Sequence, residues 1–191
     1  MEFGIDVQID DIVVDTIPTP NPDALMFQVQ ERLVPSGTYE YLESSQADGA
    51  PLARNLFVLP GVRHVLVASR FVTVTKEENQ AWPSMVPAIK QTVREFLASG
   101  DVAVVDLRED AAPTGASEVE TRIIQVLDEQ VRPAVAQDGG DISFVGFQDG
   151  IVQLRLIGSC GSCPSAVTTL KMGVEVLLME EVPEVQGVEQ V

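Results

Sequence analysis

The sequence predicts an α+β protein of two small domains, each a short mixed or antiparallel sheet packed with helices, joined by a flexible linker. Three observations predict it. Short β-branched runs alternate with amphipathic helical stripes on both sides of residue 112. Arg108-Glu109-Asp110-Ala111-Ala112-Pro113-Thr114-Gly115-Ala116 is charged, small and contains both Pro and Gly, the composition of a linker. Beyond it the pattern restarts on a helix-capping signal and runs α-β-β-α-β to the end. The expected divisions are an acidic N-terminal arm at 1–15, a first domain at 16–107, the linker at 108–116 and a second domain at 117–191.

In residues 1–15, Ile5, Val7 and Ile9 alternate among aspartates and Glu2, which fits an edge strand or an acidic arm; the arm is the reading taken. Thr16-Ile17-Pro18-Thr19-Pro20-Asn21-Pro22 then imposes an extended, polyproline-like entry. Leu25, Phe27 and Val29 alternate as a half-buried strand, Pro35-Ser36-Gly37 is a turn, and residues 38–42 suit a second strand. Pro51 fits the first turn of a helix whose Leu52, Leu56 and Leu59 share a face until Pro60-Gly61 stops it. Val62–Val67 and residues 71–75 are β-branched runs separated by Ala68-Ser69-Arg70, a hairpin. A helix over about residues 83–99 carries Met85, Val86, Ile89, Val93, Phe96 and Leu97 on one stripe, with Gly100 just past its end.

After the linker, Ser117 with Glu120 three residues on makes a capping box, and Val119, Ile123, Val126, Leu127 and Val131 follow at helical spacing. Pro133 is expected to bend or end that helix. Asp138-Gly139-Gly140-Asp141 reads as a turn that needs positive φ, with a supporting role for the nearby cysteines left open; as a calcium loop it has too few oxygen ligands. Asp149-Gly150 is a hairpin signal between a strand begun by Ile142, Phe144 and Gly146 and one in which Val152, Leu154 and Leu156 alternate with polar residues. A last helix from about Pro164 carries Val167, Leu170, Val174, Leu177 and Leu178 on one face, and Val185, Val188 and Val191 close the chain.

The net charge is −17. Residues 1–115 hold 8 Lys/Arg against 17 Asp/Glu (−9) and residues 116–191 hold 4 against 12 (−8), so neither half hides a basic block. That disfavours nucleic acid and anionic membrane surfaces as partners. Apolar runs break after a few residues, so no membrane span is expected. Met1-Glu2-Phe3-Gly4-Ile5-Asp6 lacks the character of a signal or transit peptide, from which a soluble, cytoplasmic protein is expected. No nucleophile–base pair, phosphate loop or paired carboxylates stand in a catalytic context, so no enzyme is expected.

The chemistry points to Gly158-Ser159-Cys160-Gly161-Ser162-Cys163-Pro164, which holds both cysteines of the chain. Thiols three residues apart can converge on one metal or cluster edge. Gly158 and Gly161 permit backbone conformations that a side chain blocks. Pro164 fits the first turn of the following helix and makes Cys163 a candidate N-cap, where the helix dipole favours a thiolate. Most clusters and structural zinc sites need four ligands. Either two chains supply two thiolates each, or exogenous thiols complete the shell, or the motif is a thiol–disulfide redox pair or no metal site at all. His64, the sole histidine, falls in a strand of the other domain and is read as a core or surface residue rather than a ligand. Arg155 and Lys171 are the basic groups nearest the motif in sequence and are read as solvated.

A family resemblance now becomes specific. Val131-Arg132-Pro133, Asp138-Gly139-Gly140-Asp141-Ile142, Gly158-Ser159-Cys160-Gly161-Ser162-Cys163-Pro164-Ser165 and Thr169-Leu170-Lys171 together resemble the signature of the NifU C-terminal (Nfu-type) domain over residues 117–191. Thr19-Pro20-Asn21-Pro22, Pro51-Leu52-Ala53, Gly61-Val62, Phe71-Val72-Thr73-Val74-Thr75-Lys76 and Trp82 are similar, more loosely, to the Nfu N-terminal domain. The resemblance implies an iron–sulfur cluster scaffold or carrier. Its members bind a [4Fe–4S] cluster shared between two subunits through the CxxC pair and pass it to apo-proteins. Carried over, Cys160 and Cys163 are the ligands, a homodimer forms on cluster binding, and upstream assembly machinery supplies the cargo. The first domain then serves recipient recognition or stability. A thiol–disulfide oxidoreductase and a metal-free interaction module are the alternatives. An oxidoreductase of the thioredoxin kind places its motif after a parallel strand of a βαβ unit, whereas here a hairpin is expected before it.

Overall fold

The computed structural model describes residues 9–35, 37–105, 117–158 and 164–191. They form two α+β units with separate cores, and the second has the order α-β-β-α-β.

The first unit is built on a five-stranded sheet of β1 (Val14–Pro18), β2 (Ala24–Val29), β3 (Tyr39–Tyr41), β4 (Val62–Val67) and β5 (Phe71–Lys76), in the spatial order β1-β2-β5-β4-β3. Val65, Val67, Val72 and Val74 pack with Phe27 and Val29 into its core, met there by α1 (Pro51–Phe57) and α2 (Trp82–Ser99). α1 starts on Pro51, as its fixed φ favours, and buries Leu52, Ala53 and Leu56. α2 buries Met85, Ile89, Val93 and Phe96 along one stripe and ends where Gly100 turns left-handed at φ 70°. Lys76 stands 5.9 Å from the ring centroid of Trp82, a cation–π contact at the start of that helix.

The acidic arm expected at 1–15 gives way to structure within its own span. Residues Ile9–Asp11 form a 3₁₀ turn and Val14 opens β1, with Ile12 and Val14 both 2% exposed in the first core. Arg94 of α2 donates from Nε to the Ile12 carbonyl at 2.9 Å. The polyproline-like entry expected from Thr16 is likewise replaced in part, because Thr16-Ile17-Pro18 completes the strand. Burial decides this against local acidity, and burial is invisible in a window of fifteen residues.

The second unit opens with α3 (Glu118–Val126), capped as expected. Ser117 Oγ accepts the Glu120 N–H at 3.2 Å while Glu120 Oε2 accepts the Ser117 N–H at 2.8 Å. Pro133 neither ends the helix nor leaves a simple bend. The path widens into a π turn (Leu127–Val131), in which the Arg132 N–H reaches the Leu127 carbonyl, and continues as α4 (Arg132–Gln137). A proline cannot donate to the carbonyl four residues back and its ring crowds that carbonyl, and the wider turn relieves both.

Gly139 (φ 73°) then reverses the chain into β6 (Gly140–Gln148). Asp149 (φ 51°) and Gly150 (φ 82°) are both left-handed, the geometry of a tight primed turn, and lead into β7 (Ile151–Gly158). β6 and β7 pair antiparallel from Gly140↔Gly158 to Gln148↔Ile151, with an irregularity between Phe144 and Gly146. From β7 the chain passes through residues 159–163 into α5 (Pro164–Glu181) and returns as β8 (Gly187–Gln190), which pairs parallel with β7. Ile123, Leu127, Ile142, Val152, Leu154, Val174, Leu178 and Val188 form the core between the helices and this three-stranded sheet.

Candidate functional site

The segment holding both cysteines is bracketed by two ordered elements. β7 ends at Gly158, left-handed at φ 73° and paired with Gly140, and α5 begins at Pro164. Cys160 and Cys163 themselves lie outside the described residues, as does the expected N-cap at Cys163. In sequence Cys160 stands two residues past Gly158 and Cys163 directly precedes Pro164, so each is tethered by no more than roughly 7 Å of chain. The 18-residue helix α5 begins at Pro164, so in sequence the motif leads directly into a helix N-terminus.

This placement corrects one expectation. The cysteine segment does follow the antiparallel β6–β7 hairpin, but β7 is also the first strand of a β-loop-α-β unit closed by the parallel β7–β8 pair. Topology therefore does not separate a cluster carrier from a thiol oxidoreductase. Strand direction depends on where β8 lands, a pairing more than thirty residues away in sequence from its partner.

The Asp138–Asp141 stretch divides in two. Gly139 supplies the expected positive φ, while Asp141 is drawn into β6 opposite Ile157 and is 9% exposed. Its Oδ1 accepts the Ile142 N–H at 2.7 Å and lies 3.7 Å from Arg132 Nε. That same Nε donates to the Ile142 carbonyl at 3.3 Å and lies 3.2 Å from Asp128 Oδ1 one helical turn earlier. Arg132 thus joins the helical segment to the strand whose end faces Gly158. The sequence showed Arg132 only as part of a motif; its link to Asp141 and Ile142, nine and ten residues on, needed the fold.

Arg155 is exposed on β7 and Lys171 is half-buried on α5. His64 is half-buried on β4, opposite Thr75, and burial first and the neighbouring Arg63 charge second hold its pKa below the ordinary 6.5. Among the described residues no three His, Cys, Asp or Glu side chains gather as a metal would require, and no helix is long and apolar enough to cross a membrane.

Both units match family models. Residues 123–189 match the NifU-like domain and residues 14–100 match the N-terminal domain of the scaffold protein Nfu/NifU. The human protein "NFU1 iron-sulfur cluster scaffold homolog, mitochondrial" is 41% identical over 185 residues, covering 93% of this chain and 71% of its own length. The chain belongs to the Nfu/NifU family of iron–sulfur cluster scaffold proteins. Its similarity extends to the Drosophila grimshawi protein of the same name, 40% identical over 186 residues (93% of this chain, 61% of that protein). "NifU-like protein 4, mitochondrial" of Arabidopsis thaliana is 40% identical over 184 residues (93% and 65%). The chain thus spans less than two thirds of the fly and plant relatives.

As an Nfu/NifU protein the chain is an iron–sulfur cluster scaffold or carrier at the level of its family. The cytoplasmic location expected from the acidic first residues does not stand, because these relatives are named as mitochondrial proteins. The charge of six residues governs their local solvation and is a weak carrier of cellular address.

Proposed function

We propose that Cys160 and Cys163 are the cluster ligands, that the cargo is a [4Fe–4S] cluster, and that two copies of the chain hold it with two thiolates each. The observation that carries this is the donor count. The chain has two cysteines and one histidine, and that histidine is half-buried in the sheet of the first unit. A cluster wants four thiolates, so one chain is half a site. A cargo held half by each protomer is readily assembled and surrendered, which suits delivery to apo-proteins after loading by upstream machinery. The second domain (117–191) carries the cargo, the first (16–107) serves recipient recognition or stability, and residues 108–116 link them. Nucleic acid and membrane surfaces are not partners in this reading.

The test is anaerobic reconstitution with iron and sulfide, read by absorbance, iron content and sizing. Wild type is expected to bind one cluster per two chains and to elute as a dimer. Cys160→Ser and Cys163→Ser are each expected to abolish both. A colourless, monomeric product with accessible thiols, or a single mutant with a full cluster, would sink the proposal.

The parallel β7–β8 pair keeps a second reading open, a thiol–disulfide oxidoreductase. It requires disulfide turnover by iron-free protein, lost in both single mutants; iron-free protein without that turnover removes it.

A further inference from the structure

We propose that Arg132 is a positioning residue for the cysteine pair, acting through the paired end of β6 and β7. The inference rests on the ligand assignment above and concerns what holds those ligands in place. In sequence Cys160 follows the end of β7 by two residues and Cys163 directly precedes α5, so the ends of those two elements anchor the chain on either side of the pair. A shared cluster fixes sulfur positions closely, so the end of β7 must not fray. Strand ends do fray unless something ties them, and the pairing here finishes on two glycines, Gly140↔Gly158, which offer no side chains to pack.

The tie comes from the helical side. Arg132 Nε donates to the carbonyl of Ile142, a residue 1% exposed, and stands 3.7 Å from the carboxylate of the buried Asp141. Both are among the first residues of β6, and Asp141 pairs with Ile157, immediately before the terminal Gly158. Asp141 in turn accepts the Ile142 N–H at 2.7 Å, so carboxylate, backbone and guanidinium hold one another. The π turn sets the other end. It carries Val131 into the core at 4% exposure and hands the chain to Arg132, whose N–H makes the wide-turn bond to Leu127. Asp128 Oδ1 lies 3.2 Å from the same Nε, more exposed than Asp141, and orients the guanidinium from the solvent side. A lysine retains the charge there but has no N–H at the Nε position, from which the contacts to the carbonyl and both carboxylates are made.

The experiment compares full-chain wild type with Arg132→Gln, Arg132→Lys and Asp128→Asn, and with Gly150→Ala as a control that perturbs the far end of the same hairpin. Loaded protein is challenged with a ferrous chelator and cluster loss is timed. Apo protein is followed by hydrogen exchange at residues 140–142 and 156–158. Arg132→Gln is expected to lose its cluster roughly tenfold faster than wild type. It should also exchange faster at those amides in the apo state. Arg132→Lys should recover only part of the difference, and Asp128→Asn, which loosens the guanidinium from its solvent side, should fall between wild type and Arg132→Gln. If loaded wild type and Arg132→Gln lose their clusters at the same rate, the inference falls while the ligand assignment stands. It falls too if Gly150→Ala, matched for unfolding midpoint, loses its cluster as fast as Arg132→Gln. A wild type that takes up no cluster fails the ligand assignment instead, and this inference with it.

Discussion

Three glycine-to-alanine substitutions separate what a left-handed backbone costs from what crowding costs. At Gly150 both effects are present. Its φ is +82°, and a Cβ there would lie 2.9 Å from Gln186 Cδ and 3.0 Å from Gln186 Cγ. The Gln186 side chain can yield, but its backbone cannot easily follow, because its N–H donates to the Gly150 carbonyl at 2.7 Å at the approach to β8. Forcing an L-residue left-handed costs about 1–2 kcal/mol, and the displaced Gln186 adds to it. At Gly100 only the first effect remains, with φ +70° and nothing within 4 Å, so alanine costs about 1 kcal/mol. At Gly173 neither applies. It lies exposed inside α5 with nothing within 4 Å, and alanine there should stabilise by about 0.5–1 kcal/mol. Urea unfolding followed by far-UV circular dichroism reads all three. With an m-value near 1 kcal/mol/M for a unit of this size, Gly150→Ala and Gly173→Ala should differ in midpoint by about 2 M. Gly150→Ala at or above the wild-type midpoint, or Gly173→Ala below it, would refute the turn geometry or the openness of that helix face.

Two further outcomes follow from single side chains. Burial and Arg63 lower the pKa of His64 in the folded state, so the folded protein resists protonation there. Its contribution to stability is present above the unfolded value of about 6.5 and is lost as pH falls through that value toward the folded pKa. Thermal midpoints should therefore drop between about pH 7.5 and 5.5 more steeply in wild type than in His64→Gln; parallel curves would refute it. Ser117→Ala removes the acceptor of the α3 cap, and a loss of about 1 kcal/mol is expected. Chemical denaturation with the midpoint unmoved would mean that water replaces that hydroxyl at no cost.

What was legible in the sequence is what local chemistry writes there. Ser117 with Glu120, Pro51 at the start of α1, Gly100 after α2 and Asp149-Gly150 between β6 and β7 each act within four residues, and each element stands where its signal put it. The misses share the opposite property. Ile12 and Val14 are core because α2 and the sheet cover them, which their acidic neighbours do not announce. Pro133 signals trouble for a helix, but whether the chain stops, bends or widens depends on whether Leu127 and Val131 find a core to fill, and they do. The parallel direction of β8 needed the whole α5 crossover. For the site, the two cysteines stand out in the sequence as candidate ligands, whereas the contact between Arg132 and Asp141 does not, because those two residues meet only through the fold.

The placement of the aromatic side chains has an optical consequence. Trp82, Tyr39 and Tyr41 account for every tryptophan and tyrosine in the chain, and all three lie in the first unit. The unit bearing the cysteines is therefore nearly transparent in the near ultraviolet, and intrinsic emission comes from the other half of the molecule alone. On the proposed ligand assignment, an iron–sulfur cluster taken up by that unit would supply nearly all of its near-ultraviolet and visible absorbance, against a background free of indole and phenol.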